Sequence, residues 1–126
     1  MIEVVDQLKG YSQGAISPAG SRILWLSGHL PIADGKSVDG DLRAQAEAVF
    51  ANLDRTIRNA GASWDNVLKL TYFVANLEHG HVPIISEVRS KYINAEKSPT
   101  TAVVGVARLA NPDWLIEIDG FVALSD

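Results

Sequence analysis

Two carboxylates, Glu117 and Asp119, stand two residues apart in an otherwise apolar run, Leu115 to Leu124. In a strand that spacing sets both on one face. A carboxylate among apolar groups is suited to taking up and returning protons, as a general base or acid. Glu117 is the first candidate for catalysis; the plainer reading is a solvated or ion-paired glutamate. Asp119 reads as a second carboxylate or as a structural hydrogen-bond acceptor. Near the other end, Gly10-Tyr11-Ser12-Gln13-Gly14 places polar and aromatic groups between two glycines. It is either a plain turn or a loop that carries Tyr11 into a site. His29 follows Ser27-Gly28 at a strand end, a position open to function, packing or capping. His79-Gly80-His81 has no matching third ligand in the sequence, so no metal site is expected.

These residues need elements to hold them. Residues 14 to 28 read as a hairpin, with a short strand (Ala15 to Ser17), a turn at Pro18-Ala19-Gly20-Ser21 and a strand over Arg22 to Gly28. Residues 31 to 41 read as loop, with turn pairs at Asp34-Gly35 and Asp39-Gly40. Asp41 to Ala60 is the clearest helix, its stripe formed by Leu42, Ala46, Val49, Phe50, Leu53 and Ile57. Asp41 suits its start and Gly61 its stop. Val67 to Val74 reads as a strand and residues 82 to 93 as a second helix, lined by Ile85, Val88 and Tyr92. Thr101 to Arg108 and Leu115 to Leu124 complete the strands.

Alternation assigns faces. Ile116, Ile118, Val122 and Leu124 are expected against the helices, as are Leu68, Leu70, Tyr72 and Val74. Ala102, Val104 and Val106 are expected on that same side. The opposite face then carries Thr101, Val103, Gly105, Val67, Phe73, Glu117, Asp119 and Phe121. It is too apolar for open water, and two helices cover only one side of a sheet. Another subunit is expected to cover the rest.

The totals narrow the function. The chain has 126 residues, 47% hydrophobic, enough for one domain (1–126) with a real core. Net charge is −4 with scattered Lys and Arg, which disfavours nucleic acid as the main partner. There is no cysteine, so disulfides and thiolate nucleophiles are excluded. No secretory signal or run of roughly 20 apolar residues is visible, and a cytoplasmic protein without a membrane partner is expected. No nucleophile elbow, phosphate loop or dinucleotide-binding glycine pattern occurs.

Six stretches together resemble the RidA family, also called YjgF or L-PSP proteins. They are YSQG (11–14), SGHLP (27–31), GDLRAQAEAVFANLD (40–54), AGASWDNVLKLTYFV (60–74), SPTTAVVGVARL (98–109) and IEIDGFV (116–122). The resemblance implies an α+β, chorismate-mutase-like fold, in which a mixed sheet packs two helices on one face and assembles as a homotrimer through the other. It implies small-molecule sites in clefts between subunits and no cofactor. In deaminase members the reaction is hydrolysis of enamines and imines to 2-keto acids and ammonia. Carried over, Tyr11 helps close the site, Gly28 lets backbone approach the ligand, and Glu117 positions or activates water. His29 stands where glutamine is common. The family's carboxylate-binding arginine falls at Thr101, with Val103 as a further lining residue. A threonine hydroxyl makes no charged, bidentate contact, so standard deamination is not expected. Arg22 and Arg89 are the other guanidinium candidates, reaching in from a neighbouring subunit. The alternatives are a non-catalytic trimeric binding or regulatory protein and, more weakly, an endoribonuclease or translation inhibitor.

Overall fold

A computed structural model describes residues 1–124. Strands β1 (Glu3–Gln7), β2 (Ser12–Ile16) and β3 (Arg22–His29) precede a small pair, β4 (Ile32–Ala33) and β5 (Lys36–Ser37). Helix α1 (Leu42–Asn59) follows, then a 3₁₀ turn (Trp64–Asn66) and β6 (Val67–Ala75). Helix α2 (His81–Arg89), β7 (Thr100–Val106) and β8 (Ile116–Leu124) complete the order. The six long strands form one mixed sheet, ordered β1-β2-β7-β6-β8-β3. β7 runs parallel to both β2 and β6, and the remaining neighbours are antiparallel.

Helix α1 forms where the stripe demands it. Asp41 Oδ1 accepts a hydrogen bond from the Ala44 amide at 3.0 Å, and Gly61 takes a left-handed φ of 80° just beyond the end. Leu42, Ala46, Val49, Phe50, Leu53 and Ile57 are all buried. A cap is worth about 1 kcal/mol, whereas burying one Phe, Leu or Ile contributes about 1.5–3 kcal/mol. Packing therefore holds this helix and the cap sets its start. Phe50 stacks on Tyr92 with ring centroids 5.4 Å apart. Trp64 donates to Asp54 Oδ1 at 2.8 Å, tying the turn before β6 to the helix. Gln45, buried, clamps the approach to β8: its amide donates to the Asp113 carbonyl at 3.0 Å and its oxygen accepts from the Leu115 amide at 2.7 Å.

Four expectations change. Strands β2 and β3 do not form a hairpin, because they lie near opposite edges of the sheet. The N-terminal hairpin is β1–β2, with Val4 opposite Ala15 and Gln7 opposite Ser12. Within the expected loop, Asp34 (φ 52°) and Gly35 (φ 76°) connect β4 to β5. Two positive φ values suit the twist of a two-residue hairpin. Helix α2 ends at Arg89, and Tyr92 and Ile93 reach the core from the turns beyond it. Finally, Val67 is fully buried in the core with Leu70. The β6–β8 register shifts between Val67 and Lys69, and the inserted residue reverses the parity ahead of it.

The seam holding the N-terminal hairpin is narrow. Among the described residues, the β2–β7 register consists of Ser12 opposite Thr100. The Ser12 amide also donates to the Pro99 carbonyl at 3.2 Å. Gln7 Oε1 accepts from the Ser98 amide at 3.0 Å and from the Ser12 hydroxyl at 3.1 Å.

Candidate functional site

The candidate residues fall into two groups with the sheet between them. Residues paired across neighbouring strands share a face. Leu70, Tyr72 and Val74 are fully buried beneath the helices, and they stand opposite Thr101, Val103 and Gly105 of β7. Thr101 and Val103 therefore lie on the helix side. Phe73, which points the other way, stands opposite Val104 on one neighbour and Glu117 on the other. Glu117 thus lies on the open face. The expected single face for Thr101 and Glu117 is corrected by this register. In β7 the side chains of both parities are small or β-branched, so alternation alone could not decide which way the strand turned.

On the helix side, Tyr11, Thr101 and Val103 line a cavity of about 270 Å³. Lys9, Gly10, Val82, Ser86 and Arg89 complete its wall. The hairpin connection supplies Lys9 to Tyr11, α2 supplies positions 82, 86 and 89 from one face, and β7 supplies the floor. The question raised by the glycine-flanked stretch has a geometric answer. Gly10 has φ 88°, and a Cβ there would come 2.8 Å from an Arg89 guanidinium nitrogen. The glycine leaves room for the arginine and lets Tyr11 reach the cavity. Lys9, Val82 and Ser86 gave no sequence signal except the helical spacing of the last two with Arg89.

Tyr72 lies fully buried next to this cavity's floor, opposite Val103. Its hydroxyl makes no hydrogen bond of good geometry. Burial pushes its pKa up to about 12, against a smaller lowering by the nearby Arg89 guanidinium.

On the open face, Glu117 lies across Gly28. A Cβ at position 28 would run into the Glu117 carboxylate, so glycine is what lets the two strands present the acid there. Asp119, opposite Thr71, shares this face two residues along β8, and the rest of the surroundings are largely apolar. Trp25 is 75% exposed and meets Phe121 edge-on, with centroids 5.0 Å apart. Ile23 and Val104 are exposed as well. His29 is not part of this group. Its Nδ1 is 2.6 Å from the Ser27 carbonyl and its Nε2 is 2.8 Å from the Thr56 hydroxyl of α1. The carbonyl can only accept, so Nδ1 carries the proton. The register shift after Leu26 turns this ring to the helix side. Both ring nitrogens are engaged, Nδ1 within β3 and Nε2 in fastening the strand to α1. Among the described residues, no three His, Asp or Glu side chains are grouped to hold a metal, and no helix is long and apolar enough to cross a membrane.

The family model described as Endoribonuclease L-PSP matches residues 1–124. The chain belongs to the Rid/YjgF/L-PSP family. The Rid fold recurs in a Yersinia pestis Rid-family protein of unknown function, 30% identical, with 98% of each chain covered and a TM-score of 0.84. Escherichia coli TdcF, solved with bound serine, is 26% identical over 98% of this chain and 99% of its own, with a TM-score of 0.71. The yeast protein HMF1 (Saccharomyces cerevisiae) is 32% identical over 90 residues, 71% of this chain and 67% of its own length. Two helices on one side of a mixed sheet are thus what the Rid relationship and the strand register both give.

Proposed function

We propose that this Rid-family chain acts as a homotrimer that binds a small metabolite between subunits, and that Glu117 there assists hydrolysis of an imine or enamine. The observation that carries this is the open face: a half-buried Glu117, laid over Gly28, amid exposed Trp25, Ile23 and Val104. Such an apolar surface is suited to burial against a second copy. One protomer cannot bring Glu117 to the Tyr11–Thr101 cavity, since the sheet separates them. Two protomers can, if the open face of one closes over the cavity mouth of the next. The serine held by TdcF, a Rid-family relative, supports a ligand of amino-acid size. In the reaction, Glu117 takes a proton from water as the oxygen adds to the C=N carbon and returns it to the nitrogen. The tetrahedral adduct then collapses: its hydroxyl proton passes by way of Glu117 to the amine, the C–N bond breaks, and a carbonyl and ammonia leave. An enamine first takes a proton on carbon to become the imine. No cofactor is required.

Thr101 favours one second reading, a trimeric binding or regulatory protein without turnover, because the strand lacks the guanidinium that would fix a carboxylate for reaction. The test is ammonia release from 2-aminoacrylate generated in situ and from other small imines, with trimer mass checked by light scattering. Release that falls at least about 100-fold in Glu117→Gln, as loss of general acid–base assistance predicts, supports catalysis. No acceleration over buffer on any imine leaves the binding protein. A monomer in solution overturns both.

A further inference from the structure

We infer that Arg89 takes over anion recognition in the helix-side cavity, which makes that cavity a site for a small metabolite carrying a carboxylate or phosphate group. This rests on the proposal that the cavity is the ligand-holding half of the site.

Three residues fit one another here. Thr101 is short, Gly10 has no side chain, and the Arg89 guanidinium lies beside Gly10 at the cavity wall. A side chain at position 10 would collide with it. Arg89 is half-buried, and among the described residues it has no ion-pair partner. Its contact with Ser86 Oγ is 3.5 Å, too long to count for much. The neighbouring acid on α2, Glu87, is turned instead to Arg43 at 2.6 Å. A cation in the last turn of α2 suits the helix dipole, but that accounts for its charge and not for its direction into the cavity. Lys9 adds a second positive charge, and none of the described residues lining the wall is acidic. A guanidinium presents five donors in a planar fork that matches two oxygens of an oxyanion. The guanidinium also approaches the buried Tyr72 hydroxyl, but without hydrogen-bond geometry, so most of its donors have no well-formed partner among the described residues. The Thr101 hydroxyl has only a 3.5 Å contact to the Pro99 carbonyl, leaving it able to donate to the same anion.

The test is binding, measured by calorimetry or amide chemical shifts on the intact protein, with propionate, inorganic phosphate and the neutral isostere propionamide. At least one anion is expected to bind more tightly than propionamide and to weaken as sodium chloride rises from 50 to 500 mM. Arg89→Gln is expected to weaken it about 10- to 100-fold, the range for losing hydrogen bonds to a charged group. Arg89→Lys, which keeps the charge but not the fork, should fall between. Should Arg89→Gln fail to fold, the lysine variant and the salt series decide. The inference is overturned if neither anion outbinds propionamide, or if the Arg89 variants bind within twofold of wild type. If Arg89 proves dispensable while Glu117→Gln abolishes turnover, this inference alone fails. If Arg89→Gln loses the anion while Glu117→Gln keeps full turnover, it is the assignment of Glu117 that fails.

Discussion

Tyr72→Phe separates the effect of one buried hydroxyl from everything else in the core. Tyr72 is fully buried, its hydroxyl is unpaired, and its pKa is pushed from 10.0 to about 12 by burial. Below pH 10 the phenol is neutral in both folded and unfolded chains, and the full stability is present. Above pH 10 the unfolded chain releases this proton while the folded one keeps it. Stability therefore falls as pH rises, by about 1.4 kcal/mol per unit, until the folded group also titrates near pH 12. Two units give a total of about 3 kcal/mol, of which about 1 kcal/mol is lost by pH 11. Tyr72→Phe has no proton to release and escapes this loss. At pH 7 it also removes an unsatisfied buried polar atom, a defect worth about 1–3 kcal/mol. The variant should thus be no less stable than wild type. Urea unfolding followed by tryptophan fluorescence, at equal protein concentrations and at pH 9, 10 and 11, measures the difference between the two proteins. The lysines and the other tyrosines titrate in both and cancel. A gap that grows by about 1 kcal/mol in favour of the phenylalanine variant between pH 9 and 11 is expected. A constant gap, or a clear loss of stability at pH 7, would refute the reasoning and show that Arg89 holds the hydroxyl firmly.

Two glycines near Glu117 should behave differently. At Gly120 a Cβ would strike the Lys69 carbonyl oxygen of the neighbouring strand, and main chain cannot swing aside. Gly120→Ala should cost at least the upper end of about 1–3 kcal/mol for overpacking, seen as a lower thermal midpoint; an unchanged midpoint argues against the register at the bulge. Gly28→Ala meets the Glu117 side chain from Cγ to the carboxylate, a flexible group and not main chain. It should keep the fold by circular dichroism yet lose ammonia release, and retained turnover would detach Gly28 from the site. Asp54 gives an acid-side prediction. Burial raises its pKa, but hydrogen bonds from Trp64 and Arg58 and the Arg58 charge outweigh this and hold it below 3.8. The stability it contributes is present above pH 4 and lost as pH falls through the lowered value. Asp54→Ala should cost about 1 kcal/mol at pH 7, with Asp54→Asn milder because it can still accept from Trp64. Acid unfolding of both variants should be less steep than wild type, and parallel acid profiles would count against the linkage.

Periodicity made α1 legible because seven positions bury on a single stripe, and Asp41 and Gly61 mark its ends. Strand β8 was legible too, since Ile116, Ile118 and Val122 alternate cleanly into the core. Pairing was harder to read. Pro18 to Ser21 looks like a hairpin turn, yet β2 pairs with β1 before it and with the distant β7, while β3 pairs with β8, and no local signal at the turn encodes that choice. Strand β1 escaped notice because its alternation, Glu3 to Gln7, is mostly exposed. The face of β7 was misread because Val103 and Val104 are both exposed, at 37% and 38%. When both sides of a strand carry similar side chains, a one-residue slip costs little hydrophobic contrast and leaves no mark in the pattern. The same weakness put Thr101 on the side of Glu117. His29 was misplaced for another reason: the bulge after Leu26 rotates it toward Thr56, and a bulge is a tertiary event.

The joint at Ser12 is where this sheet is easiest to part. Among the described residues, its rung with Thr100 is the whole register between the N-terminal hairpin and β7, whereas β6 pairs with β7 and β8 along most of its length. A sheet opens at least cost where the fewest backbone bonds must break, and Lys9, Gly10 and Tyr11 stand immediately before this rung.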